Sequence, residues 1–185
     1  MNRLFILLFF IISCQTNDSS VTTVPASHIG EWETECYSNG NGTYGIINLN
    51  IASTHIELTT GVFSDVTCST QEGEFYFESD SYVRTTNTYS TSLVTYQFTP
   101  LTVFHASTLN NINYCGLSPA WGVGGIQSLF DLTCVGNNPQ IIDDEHPFII
   151  QAVRTGDTLT IESVKTGEDG DTPVTAYTEK VFYKI

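Results

Sequence analysis

Basic residues are scarce in this chain. Six Lys and Arg stand against twenty Asp and Glu, a formal charge of −14. Polyanion binding draws its affinity from Lys and Arg that neutralise phosphates, and no basic cluster is present, so a nucleic-acid partner is excluded. Charge of either sign is thin as well, at 14% of residues against the usual quarter. Thr, Ser and Asn supply the polar surface instead, and these favour turns and strands over helix interiors, so the composition leans towards β. Catalytic and metal-binding strings are also missing. There is no HExxH, no Gly-x-Ser-x-Gly and no Cys-x-x-Cys, which argues against a zinc hydrolase, a nucleophile elbow and a zinc ribbon. The four histidines, His28, His55, His105 and His146, are dispersed. No acid, base and nucleophile converge, so no catalytic residue is nominated, and no enzyme activity, cofactor or metal centre is expected.

Two features mimic sites without the context a site needs. Gly40-x-Gly42-x-x-Gly45 matches the dinucleotide fingerprint as a string, but it joins strand to strand instead of strand to helix and reads as a turn. Asp143-Asp144-Glu145 and Glu168-Asp169-Gly170-Asp171 offer oxygen ligands for Ca²⁺ without matching an EF-hand loop. They read as solvated turns, with calcium at the second cluster as the alternative.

The chain opens with Arg3 and an apolar run from Leu4 to Ile12, too short to span a bilayer and of the form of a secretory signal. Ile11-Ile12-Ser13-Cys14 resembles the bacterial lipobox, which implies cleavage of residues 1–13 and lipidation of Cys14. That resemblance implies a cell-envelope protein held to the membrane through lipid on Cys14. Gln15 follows in place of the aspartate that retains many such proteins at the inner membrane, so the outer membrane is favoured. Residues 14–27 are Ser, Thr, Asn and Val with one proline and read as a flexible tether. Lipidation of Cys14 would leave Cys36, Cys68, Cys115 and Cys134. Four cysteines allow three pairings, and the sequential one, which closes the shortest loops, is expected in an oxidising compartment.

Residues 28–185 alternate short strands with turns. Gly30 to Tyr37 carries acids at 31, 33 and 35 on one face, and the next turn holds two Asn-Gly dipeptides, the strongest local hairpin signal. Ile47, Leu49 and Ile51 alternate against Asn48 and Asn50, and strands follow over 55–63, 74–78, 82–88 and 93–99. At Thr99-Pro100 the pattern changes. Leu101, Phe104, His105, Thr108, Leu109 and Ile112 fall at helical spacing, with Thr99 as cap, and a strand over 101–105 is the alternative. Cys115 to Cys134 reads as a stapled loop with Trp121 exposed among glycines. Strands resume over 148–154, 158–164 and 175–184. The expected fold is all-β: one antiparallel up-and-down barrel of about eight strands with one short inserted helix, the runner-up being a β-sandwich.

Gly30-x-Trp32 resembles the signature of lipocalins, and the set Gly30, Trp32, Cys36; Ser64, Asp65, Cys68; Cys115, Gly116, Trp121, Cys134 is similar to bacterial lipocalin-like lipoproteins. The resemblance implies that Trp32 plugs one end of the barrel beneath a cation. Lys184, Lys180 and Arg154 compete for that place, and Lys184 is the expected one. It also implies a monomer with a small apolar ligand inside, with Phe75, Phe77, Tyr96, Phe98 and Phe148 as candidate lining. A barrel filled by those same aromatics, serving as a structural or protein-interaction module, is the alternative.

Overall fold

A computed structural model of the protein describes residues 28–130, 132, 134, 147–167, 172–174 and 177–185. The expected signal peptide, Cys14, the tether, His146 and both acidic clusters lie outside the described residues. In chain order the elements are β1 (Gly30–Thr34), β2 (Tyr37–Ser38), β3 (Tyr44–Ile51), β4 (Ile56–Phe63), β5 (Gln71–Thr85) and β6 (Thr88–Pro100). After these come helix α1 (Val103–Asn111), a 3-10 turn at Tyr114–Gly116, β7 (Gln127–Ser128), β8 (Pro147–Thr155), β9 (Thr158–Thr166), β10 (Thr172–Pro173) and β11 (Lys180–Lys184).

The sheet is antiparallel and closes on itself. β3, β4, β5 and β6 pair in succession, β8 joins β6, and β9 and β11 follow. β1 then pairs on both sides, with β11 through Trp32↔Lys184 and Thr34↔Phe182 and with β3 through Gly30↔Ile51 and Trp32↔Leu49. The result is an eight-stranded up-and-down barrel with one helix, as the hairpin grammar predicts. Closure leaves no long open edge, which is how an all-antiparallel fold avoids edge-to-edge association. β8 pairs only with the first half of β6, from Thr88↔Gln151 to Ser92↔Pro147, and β7 takes up part of the remaining edge through Phe98↔Gln127.

Local chemistry accounts for most of the turns. In the first hairpin Gly40 and Gly42 take positive φ of 80° and 85°, and the Asn41 side chain accepts from the Thr43 amide at 3.1 Å. The turn between β5 and β6 departs from expectation. The spacing carries a strand through Thr88, whereas the chain reverses at Thr86-Asn87, with Thr86 at φ 38° and the Arg84 guanidinium bound to the Thr86 carbonyl. A side chain supplies there what an Asn-Gly pair supplies elsewhere.

Helix α1 also begins later than expected. β6 runs on through Thr99 to Pro100, so the cap is Thr102, whose hydroxyl accepts from the His105 amide at 3.1 Å. The buried face is Ala106 and Leu109, while Phe104 and Ile112, placed inward by periodicity, lie outward at 77% and 49% exposure. Asn110 turns the helix this way by gripping the Trp121 backbone, donating to its carbonyl at 2.8 Å and accepting from its amide at 3.1 Å.

Inward residues at alternate positions fill the ring. Trp32, Ile47, Tyr89, Leu159, Ile161 and Phe182 are fully buried in one cluster, and Phe98, Leu109, Trp121 and Leu129 form a second beneath the helix. Burying each such side chain contributes roughly 1.5–3 kcal/mol. The two clusters meet at Phe75 and Tyr96. Gly73 permits this junction, because a Cβ there would stand 2.5 Å from Phe98 Cζ, and Phe98 is wedged against Phe75 and Trp121 and has no room to shift. Gly73→Ala should therefore destabilise the protein by about 1–3 kcal/mol through overpacking, read as a lower denaturant midpoint.

Candidate functional site

Three places bear on function: the closed end around Trp32, the barrel interior, and the open end beneath α1. At the closed end Trp32 Nε1 donates to the His28 carbonyl at 2.9 Å, and the indole is wholly buried. Gly30 has φ 142°, a conformation that a side chain strains, and a Cβ there would lie 3.9 Å from the Trp32 nitrogen. The cation over the indole is Arg154, with its guanidinium carbon 5.3 Å from the ring centroid. This corrects the expectation of Lys184, which is the backbone partner of Trp32 and runs its exposed side chain past Gly30. A planar guanidinium stacks on an indole more readily than a hydrated ammonium does, and Arg154 is also held by the Gly156 carbonyl at 2.6 Å. Lys180 lies elsewhere, its ammonium 3.5 Å from the centroid of Tyr37.

His28 completes this end. Its imidazole is 4% exposed and its Nδ1 lies 2.7 Å from the Tyr89 hydroxyl. Arg84 from β5, which covers Tyr89 at 5.3 Å, and Arg154 from β8 face it as well. Burial first, then these two guanidinium groups, hold its pKa down to about 4. The arrangement locks the entry of the chain into β1. It has no open face for a substrate.

The five candidate lining residues do converge, but on one another. Phe77 stacks on Tyr96 at 4.5 Å and approaches Phe148 at 6.3 Å, and Phe75 meets Phe98 at 4.4 Å. Tyr177 packs edge-on against Phe77 at 5.5 Å, and its burial pushes the phenol well above its usual pKa. A cavity between Leu58, Phe77, Leu93 and Phe148 is about 10 Å³, room for no more than one water. Small-molecule sites run from roughly 300 to 1,000 Å³. Sequence alternation places these rings inward, but it carries no measure of the volume they leave.

At the open end Cys36 is bonded to Cys68 and Cys115 to Cys134, the sequential pairing. Asp65 organises the loop before Cys68, accepting from the amides of Thr67, Ser69 and Thr70 at 3.0, 3.1 and 2.7 Å. These donors, the Thr67 hydroxyl foremost, hold its carboxyl well below the usual range. Trp121 corrects a second expectation. It is 3% exposed, packed at 5.7 Å against Phe98, and donates to the Tyr114 carbonyl at 3.2 Å, so it is core and not a contact surface. Outward apolar side chains at this end include Val103, Phe104, Val123 and Ile126, of which periodicity places Phe104 inward.

A shallow groove of about 300 Å³ runs between Glu35–Tyr37 and Glu179–Val181. Its floor is already occupied by the Lys180–Tyr37 contact. Among the described residues no three His, Cys, Asp or Glu side chains are grouped to hold a metal. No protein-family model matches the chain, and no curated protein matches it.

The closed end yields two tests. Arg154→Met should lower stability by about 0.5–2 kcal/mol, the range of a cation–π contact, while Lys184→Met should change the urea midpoint little. For His28 the folded pKa lies below the unfolded one, so its contribution is complete above about pH 6.5 and disappears as pH falls to about 4. The loss should be about 1–3 kcal/mol. His28→Gln should flatten the slope of urea stability against pH within that window.

Proposed function

We propose that the protein is a non-enzymatic, lipid-anchored cell-envelope lipoprotein whose lipocalin-like barrel is filled by its own side chains and acts through its outer surface. The observation that carries this reading is the interior, where Phe75 packs on Phe98 and Phe77 on Tyr96 and Phe148, and the cavity left beside Phe77 and Phe148 is about 10 Å³. An apolar ligand held inside would need the Phe77–Tyr96 stack to open, and the surrounding rings leave nowhere for them to go. The lipocalin-like reading draws support from Trp32 at the closed end with Arg154 across it, and from Gly30 at its conformationally restricted position. The anchor rests on Ser13-Cys14 at the end of the apolar leader, and the outer-membrane address on Gln15.

The barrel on this reading is a rigid support. Rings of paired strands and two disulfides hold the open-end surface in one geometry, so whatever meets that surface binds without a large ordering cost. Two measurements test the proposal. An alkyne-tagged fatty acid fed to expressing cells should label the full chain and not Cys14→Ser. Native mass spectrometry of the Cys14→Ser chain isolated from the envelope should give the mass of the polypeptide alone, before and after exposure to long-chain fatty acid. A stoichiometric apolar adduct would overturn the filled-barrel reading while leaving the anchor intact.

A further inference from the structure

The open end of the barrel differs in charge from the rest of the molecule. Residues 101–130 include no Asp, Glu, Lys or Arg, in a chain with a formal charge of −14. This stretch forms one cap. β7 pairs with β6, the Gly124 amide donates to the Pro100 carbonyl at 2.8 Å, and Asn110 of α1 holds Trp121. Glu72 borders it and His105 lies within it. The Glu72 carboxylate takes the Thr102 hydroxyl, and His105, half-buried and 5.6 Å from the Phe98 centroid, has its pKa lowered chiefly by burial.

The cap is also apolar on its outer side. Val103 and Phe104 are each 77% exposed on the first turn of α1, with Ile126 at 62% and Val123 at 53% in the loop beside it. Clustered exposed apolar side chains mark a surface that meets something apolar. A bilayer suits this surface best. Inserting an element into the headgroup boundary is costly where charges must be stripped of water, and residues 101–130 themselves carry no Asp, Glu, Lys or Arg.

Reach permits the contact, on the reading that Cys14 carries lipid. β1 begins at the closed end, so the tether leaves the barrel at the end opposite the cap. Residues 15–27, fully extended, reach about 45 Å. β6, which runs from the closed end to the cap, is 13 residues long, a contour of about 43 Å that shortens when tilted in a barrel. A barrel laid on its side can therefore bring its cap to the membrane that holds its lipid. Tethering also raises the local concentration of bilayer, so a weak partition suffices.

We infer that the cap, residues 101–130, through Val103, Phe104, Val123 and Ile126, is a second membrane contact that dips into the bilayer to which the chain is tethered. The acidic barrel wall behind it makes the contact selective. A zwitterionic surface accepts it, and an anionic one repels the wall.

The test uses the full chain, produced with its leader in a lipidating bacterial host and reconstituted into phosphatidylcholine vesicles with brominated acyl chains. Flotation of the unsubstituted chain, compared with Cys14→Ser, reports the anchor independently. In floated vesicles the introduced indole of Phe104→Trp should lose roughly half its emission, as insertion of about 5–10 Å requires. That of Val83→Trp, exposed on the hairpin at the closed end, should lose none. Replacing half the lipid by phosphatidylglycerol should weaken the quenching. A chain that floats with the Phe104→Trp indole unquenched overturns the inference and leaves the anchor standing, as does a doubled mass by light scattering that Phe104→Asp returns to monomer. If nothing floats the anchor reading fails. The Cys14→Ser, Phe104→Trp chain with excess brominated vesicles then decides, quenching supporting the cap and its absence overturning it.

Discussion

The structure depends on one short strand. β1 has only five residues yet carries two ladders, to β3 on one side and to β11 on the other. Without it the meander from β3 to β11 would be an open sheet with two exposed edges. So short a strand is held by more than its backbone hydrogen bonds. Trp32 at its centre is buried, its indole nitrogen turned back to the His28 carbonyl, with Arg154 above it. The Thr34 hydroxyl accepts from the Ile47 amide at 2.9 Å where the direct ladder to β3 lapses. The closed end is thus a set of side-chain locks around a strand too short to close the ring by itself.

Closing the ring fixes how much space lies inside, and the chain fills that space with aromatic rings. An eight-stranded ring is just wide enough either to be filled by side chains or to hold one small ligand. Here four phenylalanines and two tyrosines from β5, β6, β8 and the segment before β11 pack in ring-to-ring contacts. Offset and edge-on contacts of this kind contribute about 0.5–1.5 kcal/mol each beyond their burial. Gly73 belongs to the same design, since removing a side chain on β5 lets Phe98 lie across the wall and join the barrel core to the cap core.

What the sequence made legible follows from which forces are local. Alternation in β3, the Asn-Gly turn and the cysteine spacing are local or entropic signals, and strand order, hairpins and disulfide pairing followed from them. Arg154 was within reach too, since Phe148, Ile150 and Ala152 set the inner face of β8 and Arg154 continues it. Lys184 has the same parity through Phe182, and only the stacking preference of a guanidinium separates them. The helix face was not legible. Periodicity assumes that apolar residues turn inward, and in α1 two Asn110 hydrogen bonds and a small buried patch decide the rotation instead. Trp121 departs from expectation for a related reason, because glycines around it suggest an exposed loop while Phe98, remote in sequence, and Tyr114 pack against it.

That misplaced face is informative. Where a helix turns apolar residues outward although its sequence could have turned them in, the core has been satisfied by other means. From the helix Leu109 alone enters the second cluster, because Trp121, Leu129 and Phe98 supply most of its volume. Val103 and Phe104 are therefore not left over from an incomplete core. Their exposure carries a solubility cost that the acidic wall offsets, since strong net charge of one sign keeps copies apart. The same wall would be a poor choice for a protein that met its partners by attraction of opposite charge over most of its surface. Acid on the sides and a cap segment, residues 101–130, without Asp, Glu, Lys or Arg let one end of the molecule approach an apolar environment while the rest stays in water.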